Sequence, residues 1–287
     1  MVGQGGRHQR SVRGVLRRLT LWLALSIAAL VWIAPLLFML VGSLKPDARV
    51  LPEAGSRWAF IPRAASLDNY RDVFARVPFF VYLSNSAWIN GLIVGLGLIV
   101  NSLAGYALAR LRWRGRRVVL TLVLALLVVP FEAIAVPLFY QFSSIGMRDS
   151  FTVQVLPFVA FPLSIYLFYS FFLGLPRELE QSARVDGAGV LRTFWSIIVP
   201  NSKPAFASVA IISFLSFWGL YLWPLLMTTG PQVRPLPLAI ATFQTLPPLQ
   251  WGDILAFGVM MVLPVLIMFI AFQSWFVRGV ASSGIKG

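Results

Sequence analysis

The sequence predicts an all-α, polytopic membrane protein with six transmembrane helices. Hydrophobic residues make up 58% of the 287 residues and only 12% are charged, whereas a water-soluble domain carries roughly 25% charged residues. Uncharged stretches recur along the chain, each at least as long as the roughly 20 residues that a helix needs to cross the hydrocarbon. These stretches show no strand alternation, and in lipid only helices or closed barrels satisfy the backbone.

Five of the stretches contain no Asp, Glu, Lys or Arg, and a sixth is interrupted only by Glu132. Proline should bend or end the third span at Pro130 and Pro137, because it removes a helical hydrogen bond. A short helix is expected to start at Asp68, in the segment that separates the first two spans. The expected spans are 19–43, 80–108, 117–139, 151–174, 204–228 and 254–277.

The placement of basic residues predicts the topology. The net charge is +14, and the basic residues concentrate before the first span and after spans two, four and six. Short loops rich in Lys and Arg stay cytoplasmic, and six crossings place all four segments on one side. We therefore expect cytoplasmic tails at 1–18 and 279–287 around a helical domain at 19–278. The basic excess is interpreted as a topology signal, and no nucleic-acid partner is predicted.

Several kinds of chemistry are excluded by composition. The chain has no cysteine, and its one histidine is His8 in the N-terminal tail. Disulfides and Cys/His metal sites are therefore excluded, and a membrane-embedded enzyme has few groups to use. Its three lysines are followed by Pro or Gly, never by Ser or Thr, so a Walker A loop is absent. No metal or cofactor is predicted for this chain.

The segment 175–203, between spans four and five, is the most informative about function. A first helix is expected from Pro176, and Gly187 and Gly189 are expected to end it in the left-handed conformation. A second helix is expected over 190–199. Its apolar residues form one stripe: Val190, Leu191, Phe194 and Ile198. Two short amphipathic helices joined at glycines predict a knob that docks in a groove of a soluble partner, the alternative being a solvated linker.

This segment resembles the shared loop of permease subunits of binding-protein-dependent ABC importers, which reads Glu-Ala-Ala, three residues, Gly, nine residues, Ile-x-Leu-Pro. The chain reads Gln181-Ser182-Ala183, three residues, Gly187, nine residues, Ile197-x-Val199-Pro200. The spacing is intact, with Gln181 in place of the usual Glu. Further segments resemble the carbohydrate-uptake branch: Ser43-Leu44-Lys45-Pro46, Leu67-Asp68-Asn69-Tyr70, Asn85-Ser86, Ala107-Leu108-Ala109-Arg110, Trp223-Pro224-Leu225 and the tail from Phe276 to Gly287.

The resemblance implies a permease subunit of an ATP-driven importer for a sugar or related small polar solute, in the bacterial inner membrane. It implies alternating access driven by an ATPase dimer that carries the ATP and Mg and grips the 176–200 loop. A second permease subunit, expected to be a different chain, and an external solute-binding protein complete the assembly. The residues expected to couple to the ATPase are Glu180, Gln181, Ser182, Ala183, Arg184, Asp186, Gly187, Ile197 and Pro200.

Some intramembrane residues are candidates for the solute path. Glu132 is the only acid inside a span, where a charge costs about 2.5–3.5 kcal/mol, so it should contact solute, pair with another group or reach the outer interface. The other candidates are aromatic or amide side chains: Asn85, Asn90, Trp218, Tyr221 and Trp223. Aromatic rings can stack on a sugar or face lipid, and the amides can bind hydroxyls or neighbouring helices.

One alternative function stays open from the residues alone. A secondary transporter that works without partners would need intramembrane charges for ion coupling, and only Glu132 is available. No internal repeat is visible, which disfavours inverted-repeat transporters. After Trp218 the resembled family has a polar pair, whereas this chain has Gly219-Leu220. Any solute contact made by that pair is therefore missing here, and the sequence does not identify the solute.

Overall fold

The computed structural model describes residues 5–283 and the side chains of residues 17–272. Apart from those of Arg17 and Arg18, the side chains of the predicted tails at 1–18 and 279–287, including that of His8, lie outside the described side chains. Throughout residues 5–283 the regular structure is helical, with no β-strand. The predicted all-α class is confirmed for this part of the chain.

Fifteen α-helices and one π-helical segment make up this part of the chain. They are α1 (Gly5–Ser43), α2 (Asp47–Ala54), α3 (Asp68–Arg76), α4 (Phe79–Arg110), α5 (Arg116–Leu126), α6 (Phe131–Ser144), α7 (Phe151–Val159), α8 (Pro162–Leu173), α9 (Glu178–Val185), α10 (Val190–Thr193), the π-helical segment (Phe194–Ile198), α11 (Val199–Asn201), α12 (Lys203–Trp218), α13 (Leu222–Met227), α14 (Leu236–Thr245) and α15 (Trp251–Ser283). The predicted start at Asp68 is confirmed by α3.

The described helices include four that are long and apolar enough to cross a membrane: Arg17–Ser43, Phe79–Arg110, Phe151–Leu173 and Trp251–Phe272. Two bent pairs bring the total to as many as six if each pair is one span. In one pair, α5 and α6 meet at 103°. Pro130 is the residue immediately before α6, so the predicted break there is confirmed, whereas Pro137 lies inside α6 without ending it.

The other bent pair joins residues 190–201 to α12 at 81°. The expectation of one continuous helix over 204–228 is wrong, because α12 ends at Trp218 and α13 begins at Leu222. Gly219 follows the last residue of α12, and glycine disfavours helix continuation by about 1 kcal/mol. The Gly219-Leu220 departure thus falls at a break in the helix.

The span from α7 to α8 is also interrupted, and a side chain from α4 satisfies the exposed backbone. Asn101 donates to the Val159 carbonyl at 3.0 Å and accepts the Phe161 N–H at 3.0 Å. The residue before a proline avoids the helical conformation, which explains the break just before Pro162. Asn101 thus pairs two of the backbone groups that the break frees, which lowers the cost of interrupting a helix in the membrane.

Two compact units are present, and the larger comprises 77–246 and 261–287. Within it, α4 packs against α7, α8 and α12. A Cβ at Gly105 would lie 2.6 Å from Phe168 Cβ and 2.9 Å from the Tyr169 backbone nitrogen. A glycine is therefore required at this close approach of two helices, as is common in membrane proteins.

The smaller unit comprises 1–76 and 247–260. Two of its ion pairs are largely buried: the Lys45 ammonium lies 3.1 Å from the Glu53 carboxylate, and Arg76 lies 2.6 Å from Asp253. Lys45 also donates to the Trp58 carbonyl at 2.6 Å. In α1, none of the apolar window within Arg17–Ser43 is buried, so its side chains are available to lipid or to another chain.

Candidate functional site

The segment 175–203 folds into two helical arms joined by a tight turn. The first arm is α9, and it ends where the Gly187 N–H donates to the Arg184 carbonyl at 3.0 Å and the Ala188 N–H donates to the Ala183 carbonyl at 2.8 Å. These two bonds define a Schellman motif, which needs a left-handed residue. Gly187 supplies it with φ 78°, and this part of the prediction is confirmed.

The prediction of a left-handed Gly189 is wrong. Its φ is −70° and its ψ is 168°, which is extended backbone. The Schellman motif is already complete at Ala188, so Gly189 serves instead as the residue before α10. Its carbonyl accepts the Thr193 N–H at 2.9 Å and the Thr193 hydroxyl at 3.0 Å.

The second arm comprises α10, the π-helical segment and α11, and it is anchored by aromatic packing. Phe194 and Ile198 are fully buried. The Phe194 ring centroid lies 5.2 Å from that of Tyr106 on α4 and 6.4 Å from that of Phe172 on α8. These residues belong to one buried cluster with Ala109, Phe168, Ala205 and Val209. The second arm is therefore continuous with the core that the spans form.

The predicted apolar stripe on this arm is only partly right. Val190 and Leu191 are exposed, whereas Thr193, Phe194 and Ile198 are buried. A π-helical turn bonds i to i+5, and the buried side follows that wider spacing from Thr193 to Ile198. The two apolar residues at the start of the stripe, Val190 and Leu191, lie on the surface next to the turn instead.

A buried ion pair attaches the first arm to the end of α4. Arg110 Nε lies 3.2 Å from Glu180 Oε1, and the two side chains are only 4% and 10% exposed. The Arg110 guanidinium also donates to the Leu175 carbonyl. Sequence reasoning named both residues but missed that they pair, because one arginine-rich loop offers several equivalent partners for one acid.

The other loop residues divide between the two sides of α9. Ala183 is buried with Glu180, Ile197 is half-buried, and Pro200 is exposed. The outward side carries four polar or charged residues that are all exposed: Gln181, Ser182, Arg184 and Asp186. Val185 is 88% exposed and Leu191 is 65% exposed. The knob therefore presents apolar tips surrounded by polar groups, and Gln181 lies on this exposed side.

The candidates for the solute path occupy different environments. Glu132 is exposed in the first turn of α6, where the positive end of the helix dipole favours a carboxylate. Asn85 donates to three carbonyls, those of Pro231, Gln232 and Arg234, at 3.0–3.2 Å. Asn90 donates to the Phe214 carbonyl at 3.2 Å, and its Oδ1 is buried without a partner among the described residues. Both amides therefore tie α4 to neighbouring segments.

The three aromatic candidates lie around the break that follows α12. Trp223 is fully buried and donates to the Val153 carbonyl at 2.8 Å. Trp218 stacks on Phe214 with ring centroids 5.1 Å apart and donates to the Met261 carbonyl at 3.2 Å. Tyr221 is 41% exposed. Of the three, Tyr221 presents the most ring surface outside the core of this chain.

One polar residue in this region escaped the sequence reasoning. Gln154 on α7 is fully buried, and neither atom of its amide has a hydrogen-bond partner within the described residues. An unsatisfied buried polar group costs about 1–3 kcal/mol. Its position inside a stretch without charges was the available signal, since an amide there is conspicuous.

Several membrane helices and a cytoplasm-type loop of two short helical arms are the features expected of a transporter permease subunit. Residues 101–282 match the family described as binding-protein-dependent transport system inner membrane component. The chain belongs to this family, and it is thus a non-catalytic membrane subunit of an ABC importer. The resemblance of the loop to this family, stated from Gln181, Gly187 and Pro200, is confirmed.

Curated relatives are similar over nearly the whole chain. The arabinooligosaccharides transport system permease protein AraQ of Halalkalibacterium halodurans is 33% identical, covering 93% of this chain and 96% of that protein. The trehalose/maltose transport system permease protein MalG of Thermococcus litoralis is 31% identical, covering 95% and 98%. A chain in the crystal structure of a bacterial ABC transporter that imports alginate aligns with a TM-score of 0.77 and 22% identity, covering 96% and 99%. The fold is therefore that of an ABC importer permease.

Proposed function

We propose that this chain forms half of the translocation path of an ATP-driven importer for a sugar, in the bacterial inner membrane. It crosses six times, at the four long helices, at the bent pair of α5 and α6, and at the span that begins with α12. Both termini and the loop 175–203 are kept in the cytoplasm. The charges support this topology, since basic segments then share the side that short basic loops prefer. The relatives named for arabinooligosaccharides and for trehalose and maltose support a saccharide as solute.

The observation that best supports this proposal is the exposed outer side of α9, which lies next to the buried second arm. This knob docks in a groove of an ATPase subunit, and the ATPase dimer holds the ATP and Mg. A second permease subunit of different sequence lies beside this chain. An external solute-binding protein delivers the solute, and a solved relative with a TM-score of 0.62 is an alginate transporter in complex with its periplasmic protein.

Docking is tested at Val185, the most exposed apolar residue of the knob. Val185→Glu places a charge in the proposed apolar contact, so it should abolish copurification of the ATPase and reduce solute-stimulated ATP hydrolysis by tenfold or more, about 1.4 kcal/mol or more of lost coupling. Val185→Leu is the matched control, because it keeps the apolar contact. Full coupling in Val185→Glu would overturn the docking role of α9.

Among the solute-path candidates, Glu132 and Tyr221 are proposed to contact the sugar, because their side chains are exposed next to breaks in the helices. Asn85, Asn90, Trp218 and Trp223 position these segments through their hydrogen bonds. A thermal-shift screen of sugars against the cognate solute-binding protein identifies the solute. Uptake into proteoliposomes by Glu132→Gln then tests the path: unchanged uptake kinetics would remove Glu132 from it.

A further inference from the structure

A cavity of about 460 Å³ lies between the end of α4 and α9, within the larger unit. Its charged lining consists of five arginines and one glutamate: Arg110, Arg112, Arg116, Arg177, Arg184 and Glu180. The lining thus carries an excess of four positive charges. Like charges brought together in this way repel each other, so the cavity favours an anion.

The arginines differ in how many hydrogen bonds and ion pairs their guanidinium groups make within the chain. Arg110 pairs with Glu180, and Arg116 donates to the Ala109 and Leu111 carbonyls at 3.2 and 3.4 Å. Arg112, Arg177 and Arg184 are different, because their guanidinium groups make no hydrogen bond or ion pair with the described part of the chain. Three unpaired forks around a cavity can surround the oxygens of a phosphate, which arginine binds bidentately.

The position of the cavity relates it to the membrane surface. Arg110 is the last residue of α4 and Arg116 is the first residue of α5, and both helices are candidate membrane segments. The loop between them therefore lies where hydrocarbon gives way to lipid headgroups. Trp113 in this loop is 41% exposed, and tryptophan is enriched at this interface.

An apolar route leads from this region along α5. A second cavity of about 390 Å³ is lined by Arg112, Arg116 and Val118, among others. Val118 and Leu122, one turn further along α5, are 63% and 57% exposed. An acyl chain attached to a phosphate between the arginines can therefore lie on an apolar helix surface, which free phosphate cannot use.

We propose that this cavity binds the phosphate of an anionic phospholipid and that the lipid bridges the α4–α5 loop and the start of α9. Basic pockets at the ends of membrane helices on the cytoplasmic side suit such headgroups. The bridge adds a second attachment for α9 beside the Arg110–Glu180 ion pair. Arg184 also lies on the exposed side of α9 that is proposed to dock in an ATPase, so the lipid contacts that do not depend on docking are those of Arg112 and Arg177.

The test uses the purified full chain in nanodiscs that contain phosphatidylglycerol and phosphatidylcholine, with retained lipid counted by native mass spectrometry. Arg112→Gln/Arg177→Gln removes two unpaired cavity charges, and each should lower phosphatidylglycerol affinity about fivefold, about 25-fold together. Arg114→Gln/Arg192→Gln removes the same charge from residues outside the cavity lining. The control should retain phosphatidylglycerol like the unmodified chain.

Four outcomes would overturn the proposal. Equal losses in both double variants would show a general charge effect, and equal retention of phosphatidylcholine would show no headgroup selection. Complete displacement of phosphatidylglycerol by millimolar inorganic phosphate would assign the cavity to the free anion. Repeating the measurement with the ATPase bound distinguishes a lipid from a protein occupant. Lipid retention should persist. Its complete loss would mean that acidic side chains of the ATPase occupy the cavity instead.

Discussion

The two arms of the segment 175–203 are held in opposite ways. The second arm is fixed by packing, because Phe194 and Ile198 are fully buried among aromatic residues of the spans. The first arm, α9, is held by the Arg110–Glu180 ion pair, the buried Ala183 and the half-buried Leu179, while its other residues are exposed. One arm is thus part of the core, and the other is mounted on it.

This difference is what a mechanical link requires. A close-packed interior is stiff and transmits displacement, so movement of the second arm must move the spans. An exposed helix with apolar tips can instead be gripped without disturbing that core. The comparison therefore predicts that substitutions of buried residues, which are mostly in the second arm, affect stability. Substitutions on the exposed side of the first arm should affect coupling.

The largest effect is expected at Phe194. Phe194→Ala leaves a cavity between α4 and α8, and such truncations cost about 3–5 kcal/mol. Its neighbour Trp195 is 48% exposed, so Trp195→Ala should cost well under half as much. Thermal unfolding of the purified chain in detergent measures both variants. Equal destabilisation would mean that the second arm is not anchored through the buried side of the π-helical segment.

A smaller effect is expected at the ion pair. Glu180→Gln leaves the buried Arg110 guanidinium without a counter-charge, which should cost about 2 kcal/mol. Glu178→Gln removes the same charge from an exposed position of the same helix and should cost less than about 0.5 kcal/mol. The difference in melting temperature between these variants measures the attachment of α9. If both behave alike, the pair does not hold the first arm.

The turn between the arms gives the next smaller effect. Gly187→Ala places a side chain at φ 78°, which costs about 1–2 kcal/mol in the left-handed region. Gly189→Ala is the matched control, since Gly189 has φ −70° and open space around its Cβ position. We expect solute-stimulated ATP hydrolysis to fall only in Gly187→Ala. Equal coupling in both would show that the turn geometry is not transmitted to the ATPase.

The same two glycines show what a sequence can predict here. The loop spacing and the charge-free stretches were enough to predict the helical class, the break at Pro130 and the turn at Gly187. They did not distinguish Gly187 from Gly189, because the Schellman motif depends on which carbonyls the N–H groups reach. Which of the two glycines is left-handed depends on the hydrogen bonds of the folded turn, and the residue types alone do not indicate it.

The candidate site was less predictable for a related reason. Val190, Leu191, Phe194 and Ile198 share a helical stripe, yet only the last two are buried, because they pack against the aromatic cluster of α4 and α8. Trp223 and Tyr221 are both aromatic residues near a break, but one is in the core and the other is exposed. The side-chain types therefore indicated candidate residues, but only the packing in the folded chain shows which of them are buried and which are exposed.

The smallest effect on stability is expected at Asp149, which precedes α7. This residue lies at the opposite end of the α7–α8 span from the loop 175–203. Its carboxylate accepts the Thr229 N–H at 2.6 Å and the Thr229 hydroxyl at 2.7 Å. These hydrogen bonds, the backbone one foremost, lower the pKa of Asp149 below its ordinary value. Because the pKa is lowered on folding, the contribution to stability is present above the ordinary pKa of about 3.9 and is lost as pH falls through the lowered value.

Asp149→Asn should therefore lower the melting temperature slightly at neutral pH, and the difference from the unmodified chain should shrink as the solution is acidified below about pH 4. Asparagine tolerates the left-handed backbone of this position, where φ is 54°, so the substitution removes the charge and one of the two acceptor oxygens without straining the backbone. Asp186→Asn in the loop 175–203 is the reference, because the Asp186 carboxylate is exposed and no hydrogen bond or ion pair holds it within the described chain. This exposed substitution should change the melting temperature at neutral pH very little. A pH-independent loss at Asp149 would mean that backbone geometry, and not the carboxylate, stabilises this connection.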